Sequence, residues 1–312
     1  MSAEPEDTDP AALPTEAANP HSRDLDRLAC ESLGEAFDLF DRADEGVNAA
    51  VREAKPAILR AVELVAERLA RGGRLLYVGA GTSGRLGVLD ASECPPTFQS
   101  APEQVQGRIA GGPEALLRAV EGAEDSRELG RAAVDDAEPR DAVLGIAASG
   151  RTPFVHAALE RARERGAATL FLACVPFELA PDTADVSIRV PTGPEVLTGS
   201  TRLLAGTATK LVLNRLTTLA FARLGKVHGN RMVDLDTRGN QKLWRRGIGI
   251  LRELTGLAEA EAEALLRRAG GQVKPAVLMQ RGALTLAEAR ERLAQHGGSL
   301  REALDASGPR AG

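Results

Sequence analysis

Aromatic, cysteine and histidine residues are all scarce in this 312-residue chain. Aromatic side chains make up 3% of it, and it has three cysteines and four histidines. Cys30, Cys94 and Cys174 are too scattered for a zinc cluster, and their odd number leaves one without a disulfide partner, so we expect reduced thiols. No two histidines have the i,i+4 spacing of a helical metal site. The sequence therefore predicts no metal and no cofactor, and chemistry that depends on carboxylates and hydroxyls.

The chain also lacks an excess of positive charge, with 39 Lys and Arg against 44 Asp and Glu residues, and it lacks long apolar runs. The net charge is -5 and the sequence pI is about 5.6, so the chain lacks the basic surface with which proteins bind nucleic acids or anionic membranes. No apolar run approaches the roughly 18 to 20 residues of a membrane-spanning helix. The chain starts with acidic and proline-rich sequence, unlike a secretory signal. We expect a cytoplasmic protein with no nucleic-acid and no membrane partner.

Hydrophobic residues form 43% of the chain, which is enough for one sizeable core and a small appendage. Apolar residues recur at helical spacing over 25–40 and 47–69, with Pro56 in the first turn of the longer helix. The residues before them offer no periodic apolar face. We predict a disordered tail at 1–22, an N-terminal helical arm at 23–64, a sheet domain at 65–228, a C-terminal helical subdomain at 229–306 and a tail at 307–312.

Short apolar runs alternate with amphipathic segments in the middle of the chain. The predicted strands are 74–79, 104–110, 141–147, 168–174 and 185–190, and the predicted helices between them are 85–91, 113–120, 125–136 and 153–165. This alternation is typical of an α/β protein with a five-stranded parallel sheet sandwiched by helices. A buried helix at 202–224 follows, and the C-terminal subdomain contains helices at 257–268, 273–280 and 286–294. Thr285 and Glu288 match a capping box. We identify no internal repeat.

Three loops combine glycine with hydroxyl side chains. Two follow predicted strands, where ligands of open parallel sheets bind, and the third opens the buried helix. Glycines permit close backbone approach, and helix N-termini offer donors to an anion. We therefore predict a monophosphate pocket. Its predicted residues are Thr82 and Ser83 in the first loop, Ser149, Arg151 and Thr152 in the second, and Ser200 and Thr201 in the third.

The first loop also satisfies the dinucleotide-binding pattern G-x-G-x-x-G, at Gly79, Gly81 and Gly84. That fold places an acidic residue at the end of the next strand to bind ribose hydroxyls. Here the next strand ends in IAGG, at residues 109–112. The pattern alone is weak, and such loops are also found as simple tight turns. Three loops of the same kind favour the phosphate interpretation.

Longer motifs resemble a known family. The second loop, SGRT at 149–152, together with the first loop resembles the SIS (sugar isomerase) domain, a sugar-phosphate-binding fold. The string GAGTSGRLGVLDASECPP at 79–96 resembles the signature of the N-acetylmuramic acid 6-phosphate etherases, and VEGAEDSR at 120–127 resembles their second motif. The match extends through GIAASGRTP at 145–153, GPEVLTGSTR at 193–202 and GTATKLVLN at 206–214.

This resemblance implies cleavage of the D-lactyl ether of N-acetylmuramic acid 6-phosphate, without a metal, by a homodimer that serves cell-wall sugar recycling. It also implies that Glu93 is the proton-donating carboxylate and that Glu124 is the second catalytic glutamate. From position alone, Glu93 is a helix-end carboxylate, and Glu124 is one of an acidic cluster with Glu121 and Asp125. Two departures stand out: Leu204 and Val175 occupy positions where we expect Lys and Asn in the family.

The chemistry of the substrate suggests a route that two carboxyl groups can catalyse. In the open-chain sugar, loss of the C2 proton next to the C1 aldehyde allows lactate to leave from C3, and water then adds to the unsaturated aldehyde. This route needs a base near C2 and an acid near the C3 oxygen. Two other functions on the same fold remain open: a sugar-phosphate sensor without catalysis, and an aldose-ketose isomerase.

Overall fold

The computed structural model describes residues 33–239 and 241–306. The predicted tails at 1–22 and 307–312, the first ten residues of the predicted arm and Cys30 lie outside these residues. The chain forms two compact units. The first contains residues up to 90 and 106–216, and the second contains residues 91–105 and those from 217 onwards.

The first unit contains the parallel sheet predicted from the sequence. Its strands are β1 (Leu75–Gly79), β2 (Val105–Ile109), β3 (Ala142–Ile146), β4 (Ala168–Ala173) and β5 (Val186–Arg189). Their order across the sheet is β2-β1-β3-β4-β5. In the parallel pairings, Leu75 lies opposite Ala142, and Ala142 lies opposite Ala168. Every residue of β1, β3 and β4 is buried, as expected of a parallel sheet covered on both faces.

Helices cover this sheet. The helices that begin in the first unit are α1 (Leu33–Glu53), α2 (Lys55–Ala70), α3 (Gly81–Phe98), α4 (Arg127–Ala132), α5 (Pro153–Glu164) and α6 (Leu204–Arg223). Helix α2 contacts β1, β3 and β5, and α5 contacts β1, β3 and β4. Phe154 and Val155 of α5 share a buried cluster with Phe171 of β4. The predicted strands and the helix at 153–165 are therefore confirmed, with ends shifted by a few residues.

Several predicted helix boundaries were wrong. The arm breaks at Ala54, not between residues 40 and 47. Pro56, in the first turn of α2, has no backbone N–H to donate to the carbonyl four residues earlier, so one continuous helix cannot form there. Helix α3 begins at Gly81 rather than at residue 85. The helix predicted at 113–120 is one 3₁₀ turn at Pro113–Leu116, preceded by two glycines with positive φ. The helix predicted at 125–136 is a 3₁₀ turn at Ala123–Asp125 followed by the short α4.

The second unit is helical, as predicted. Its further helices are α7 (Gln241–Thr255), α8 (Glu259–Arg268), α9 (Val273–Gly282), α10 (Leu286–Gln295) and α11 (Leu300–Asp305). Their core includes Leu251, Leu266 and Val277, which are 0% exposed. At the start of α10, the hydroxyl of Thr285 accepts from the backbone N–H of Glu288, and the Glu288 carboxylate accepts from that of Thr285. The predicted capping box is thus confirmed.

The second unit also contains an internal repeat, which the sequence analysis missed. Helices α8 and α9 are joined through Gly270 and Gly271, and 27 residues later Gly297 and Gly298 join α10 to α11; all four glycines have positive φ. The N–H of Gly271 donates to Leu266 O, and that of Gly298 donates to Leu293 O. A few apolar positions match at this spacing, such as Leu266 with Leu293 and Val273 with Leu300. Others do not, since Leu265 corresponds to Arg292 and Ala269 to His296, and this hides the similarity in the sequence.

A buried carboxylate holds together the amino ends of two neighbouring strands of the sheet. Asp141, just before β3, is 0% exposed and accepts from Nη2 of Arg74 at 2.7 Å, from the backbone N–H of Arg74 at 2.8 Å and from that of Glu138 at 3.0 Å. Burial alone would raise the pKa of Asp141, but the hydrogen bonds from Arg74 and Glu138 outweigh it, and the pKa is lowered. Asp141 thus joins the starts of β1 and β3.

We predict that Asp141→Asn lowers the free energy of unfolding at pH 7 by about 3 kcal/mol, because it leaves Arg74 without its buried charged partner. A lowered folded-state pKa stabilises the fold above the unfolded-state value near 4, and this contribution is lost as the pH falls through the folded-state pKa. The difference between wild type and variant should therefore shrink under acid conditions. Urea unfolding at pH 7 and near pH 3 measures both effects.

Glu160→Gln is the matched control, because its ion pair with Arg127 is about half exposed on both sides. Such a pair contributes about 1 kcal/mol or less. Equal losses in the two variants would contradict the role of Asp141.

Candidate active site

The loop after β1 is a tight turn that only glycine permits. An ideal Cβ placed on Gly84 would lie 2.6 Å from both Gly79 O and Ile109 Cγ1, and one placed on Gly79 would lie 2.8 Å from Gly84 N. The G-x-G-x-x-G spacing therefore serves contact within the chain, between the end of β1 and the first turn of α3. That turn carries Thr82 and Ser83, which are both half-buried.

The loop after β3 turns at Gly150, which has a φ of 74°. The Oγ of Ser149 lies 3.4 Å from the backbone N–H of Arg151, and an Nη of Arg151 donates to Leu179 O at 3.3 Å. Thr152 is the N-cap residue of α5, but its side chain makes no capping hydrogen bond. The hydroxyls of this loop are thus held close to the N-terminus of α5.

The third loop leads into α6 and contains Ser200 and Thr201, both half-buried. It is preceded by Glu195, which is 1% exposed. The Glu195 carboxylate accepts from the backbone N–H groups of Leu204 at 2.8 Å and Ala205 at 2.9 Å, the first two residues of α6. Burial raises the pKa of Glu195, although these two hydrogen bonds act in the opposite direction.

The three loops converge within the first unit. Ala148 O, in the second loop, accepts from the backbone N–H of Cys174 at 2.9 Å, and the Cys174 thiol lies 3.6 Å from Ala205 O at the start of α6. An ideal Cβ placed on Gly206 would lie 3.5 Å from both Thr82 Cγ2 and Thr201 O. The first and third loops therefore meet at Gly206, and Cys174 links the second loop to α6.

The cysteines of the described residues are Cys94 and Cys174, which are both buried and form no disulfide. Burial raises the pKa of the Cys174 thiol to about 12, so it is protonated at neutral pH. This agrees with the expected reduced thiols and with a packing role. Over residues 33–239 and 241–306, no group of three His, Cys, Asp or Glu residues is arranged to hold a metal ion.

A cavity of about 180 Å³ adjoins the first loop. Gly81, Arg85, Glu121 and Glu124 line it, together with a set of small residues that includes Ala80, Ala110 and Ala115. Glu124 is exposed and lies in the 3₁₀ turn after Gly122, whose backbone is left-handed. Of the three acidic residues in this cluster, Glu121 and Glu124 border the cavity, and Asp125 is not among its lining residues.

Arg85, although it lines this cavity, has a structural role. Its Nε donates to Leu116 O and its Nη2 to Arg118 O, both at 3.2 Å. These bonds tie the start of α3 to the segment that leads to Glu121. An arginine beside a glycine-rich loop suggests a phosphate contact, and the structure shows these two contacts with backbone carbonyls.

Glu93 lies on α3 in the part that belongs to the second unit. Its side chain is exposed, whereas Ala91 and Cys94 beside it are buried. It lies inside the helix, which continues through Pro95 and Pro96 to Phe98. Glu93 is therefore not the helix-end carboxylate considered above.

Comparison with known proteins supplies the family. The chain is 52% identical over 297 residues to an N-acetylmuramic acid 6-phosphate etherase of Synechocystis sp., a match that covers 95% of this chain and 96% of the relative. It is 58% identical over 271 residues to an N-acetylmuramic acid 6-phosphate etherase of Gloeobacter violaceus, covering 86% and 87%. The chain belongs to the N-acetylmuramic acid 6-phosphate etherase family. The resemblance described above is therefore confirmed.

Two further comparisons concern the sheet domain of this etherase-family chain. A family model described as the glucokinase regulatory protein N-terminal SIS domain matches residues 57–163, in agreement with the predicted SIS fold. Among solved structures, a phosphoheptose isomerase from Francisella tularensis is similar with a TM-score of 0.46 and 20% identity, over 62% of this chain and 99% of that one. No described helix is long and apolar enough to cross a membrane.

The two departures from the etherase pattern lie in packed positions. Leu204 is 3% exposed at the first position of α6, and its N–H is one of those bound by Glu195. Val175 is 3% exposed, and its Cγ2 would lie 3.3 Å from an ideal Cβ placed on Gly150. Val175 belongs to the same buried apolar cluster as Phe154 and Phe171.

Glu195 is the residue of this region that sequence reasoning missed. Its motif, GPEVLTGSTR, was noted only for its hydroxyls. A glutamate nine residues before an apolar helix does not by itself indicate a cap, because the usual signals lie within the first turn. The chain has to fold back for the carboxylate to reach Leu204.

We predict that Gly84→Ala lowers the free energy of unfolding by about 2 kcal/mol, because its Cβ would overlap backbone and core atoms that cannot move independently. Gly81→Ala should lose only about 1 kcal/mol, since its Cβ meets nothing within 4 Å and the cost is that of a left-handed φ of 53°. Urea unfolding of both variants provides the measurement. A larger loss of unfolding free energy in Gly81→Ala than in Gly84→Ala would contradict the prediction that the close contact at Gly84 requires glycine most strongly.

Proposed function

We propose that this protein cleaves the D-lactyl ether of N-acetylmuramic acid 6-phosphate to give N-acetylglucosamine 6-phosphate and D-lactate, as a carbon–oxygen lyase of amino sugar metabolism. The observation that carries this proposal is the 52% identity over almost the full length of a relative named for that activity. Cell-wall sugar recycling is the context that this reaction suggests.

The proposed reaction proceeds by elimination and then hydration. A base removes the C2 proton of the open-chain sugar, the C2–C3 double bond forms as the C3–O bond breaks, and an acid protonates the departing lactate oxygen. Water then adds at C3 and a proton returns to C2. General acid–base catalysis by positioned carboxyl groups suits every step.

Glu93 and Glu124 are the proposed catalytic residues. Glu93 would protonate the departing lactate and then activate the incoming water, and Glu124 would handle or stabilise the C2 proton transfer. The support is their position in the ASECPP and EGAEDS strings, and the solvent access of both side chains. Glu124 has the further support of bordering a cavity beside the first loop.

The proposed 6-phosphate contacts are those of the three loops, through Thr82, Ser83, Ser149, Arg151, Thr152, Ser200 and Thr201. Their convergence through Cys174 and Gly206 supports a common site. Hydroxyls and backbone N–H groups near helix N-termini favour phosphate. Arg151 would add the positive charge that complements it.

We also propose a cytoplasmic homodimer that does not bind nucleic acid. The net charge of -5 supports the absence of a polyanionic partner. Exposed apolar side chains on α1, with Leu33 at 87% and Phe37 at 64% exposure, support a protein partner for that helix. The family resemblance points to a second copy of this chain as that partner.

We predict that Glu93→Gln and Glu124→Gln each lower the rate of D-lactate release by about 10² to 10⁴, because an amide keeps the shape of the side chain but cannot transfer the proton. Glu63→Gln, an exposed position on α2, is the matched control and should retain the wild-type rate. A coupled D-lactate assay measures all three. Wild-type turnover by Glu93→Gln would refute its assignment.

We further predict that turnover in water labelled with ¹⁸O places the label on C3 of N-acetylglucosamine 6-phosphate, because hydration follows loss of lactate. Mass spectrometry of both products locates the label, and label in D-lactate would mean that a different bond is cut. The same incubations distinguish the alternatives, since an isomerase would form a ketose from an aldose phosphate and a sensor would form neither product.

A further inference from the structure

The segment between Glu195 and α6 is closed by side-chain to backbone hydrogen bonds. The two carboxylate oxygens of Glu195 each accept one N–H, from Leu204 and Ala205. Within the segment, the N–H of Ser200 donates to Leu197 O at 2.9 Å, and that of Leu203 donates to Ser200 O at 3.2 Å. Residues 196–203 therefore form a compact loop whose ends are joined by Glu195.

The carboxylate is the only part of this closure that is buried and charged. Because Glu195 is 1% exposed, removal of its side chain would take these acceptors away from two N–H groups of buried residues at the start of α6. By contrast, Leu197, Thr198 and Gly199 at the tip are exposed, and the carbonyls of Leu197 and Gly199 accept from Ser200 and Thr201 of the same loop. Glu195 thus supplies the side-chain hydrogen bonds that join this loop to the first two residues of the helix.

The position of Thr201 follows from this attachment. Thr201 O and Thr82 Cγ2 each lie 3.5 Å from the point where a Gly206 Cβ would be, so both threonines lie near the first turn of α6. Glu195 fixes that turn through the N–H groups of Leu204 and Ala205. A change at Glu195 would therefore move Thr201 relative to Thr82.

We propose that Glu195 is a positioning residue, which latches the 196–203 loop and so holds Ser200 and Thr201 beside Thr82 for binding of the substrate's 6-phosphate. This rests on the proposed function for the identity of the substrate. It also implies that the hydroxyls, rather than the first two N–H groups of α6, bind the phosphate, because Glu195 already occupies those groups.

The test compares Glu195→Gln and Glu195→Ala with Thr285→Ala. The amide of Gln keeps one acceptor and loses the other, and Ala loses both. Thr285→Ala removes an N-cap from α10 and matches the loss of a helix cap without touching the loop. It should lower the free energy of unfolding and leave KM unchanged.

We expect KM for N-acetylmuramic acid 6-phosphate to rise on the order of tenfold in Glu195→Ala and by less in Glu195→Gln, with kcat within about twofold of wild type, because the loss is in phosphate binding. Calorimetric titration with inorganic phosphate should show the same weakening. Unchanged KM and phosphate affinity in Glu195→Gln, or a fall in kcat alone, would overturn the latch. If Glu195→Ala does not fold, the result for Glu195→Gln alone decides the proposal.

Failure of the proposed function would be seen separately. If the wild type releases no D-lactate, that function is wrong, and the phosphate titration still tests whether Glu195 positions the 196–203 loop for phosphate binding. Weaker phosphate binding by Glu195→Gln than by wild type then supports it, and equal binding, or no binding by wild type, overturns it.

Discussion

The adjacency of β1 and β3 in the sheet is the constraint on which the candidate site depends. In the order β2-β1-β3-β4-β5, the chain leaves β1 towards one edge and leaves β3 towards the other. The two connections therefore separate above neighbouring strands, and this is where open α/β sheets bind ligands. Gly79 and Gly84 keep the β1–α3 turn tight, and Gly150 turns the β3–α5 loop. The start of α6 then lies against both loops, through Gly206 and Cys174.

The strands could be predicted from the sequence because a parallel sheet buried on both faces needs continuous apolar runs, and those of β1, β3 and β4 stand out between polar segments. The structure of the segment from 113 to 136 could not be predicted in this way. Its apolar residues have helical spacing, but Gly111, Gly112 and Gly122 adopt positive φ and confine the chain to single turns. The repeat around the two glycine pairs was missed because its similarity lies in conformation and in a few apolar positions.

The loops of the candidate site could likewise be predicted, since glycine and hydroxyl residues after strands have a direct chemical meaning. Their mutual contacts could not, because no local pattern indicates that Gly206 meets Thr82 or that Glu195 reaches Leu204. The contacts of Arg85 could not be predicted either. An arginine next to a glycine-rich loop suggests phosphate binding, but the guanidinium bonds two backbone carbonyls that the turns after β2 present to it.

A buried carboxylate holds the chain at each end of the strands of the sheet. At the amino edge, Asp141 and Arg74 form a buried ion pair with further hydrogen bonds from the backbone, so its charges are satisfied within the chain. At the carboxyl edge, the charge of Glu195 is also satisfied internally, by the N–H groups of α6 that would otherwise attract an anion. In the proposed function, a phosphate would be bound by the hydroxyls of the three loops and not by the first two N–H groups of α6, and such contacts can exchange for water at little cost, as the release of a sugar phosphate requires.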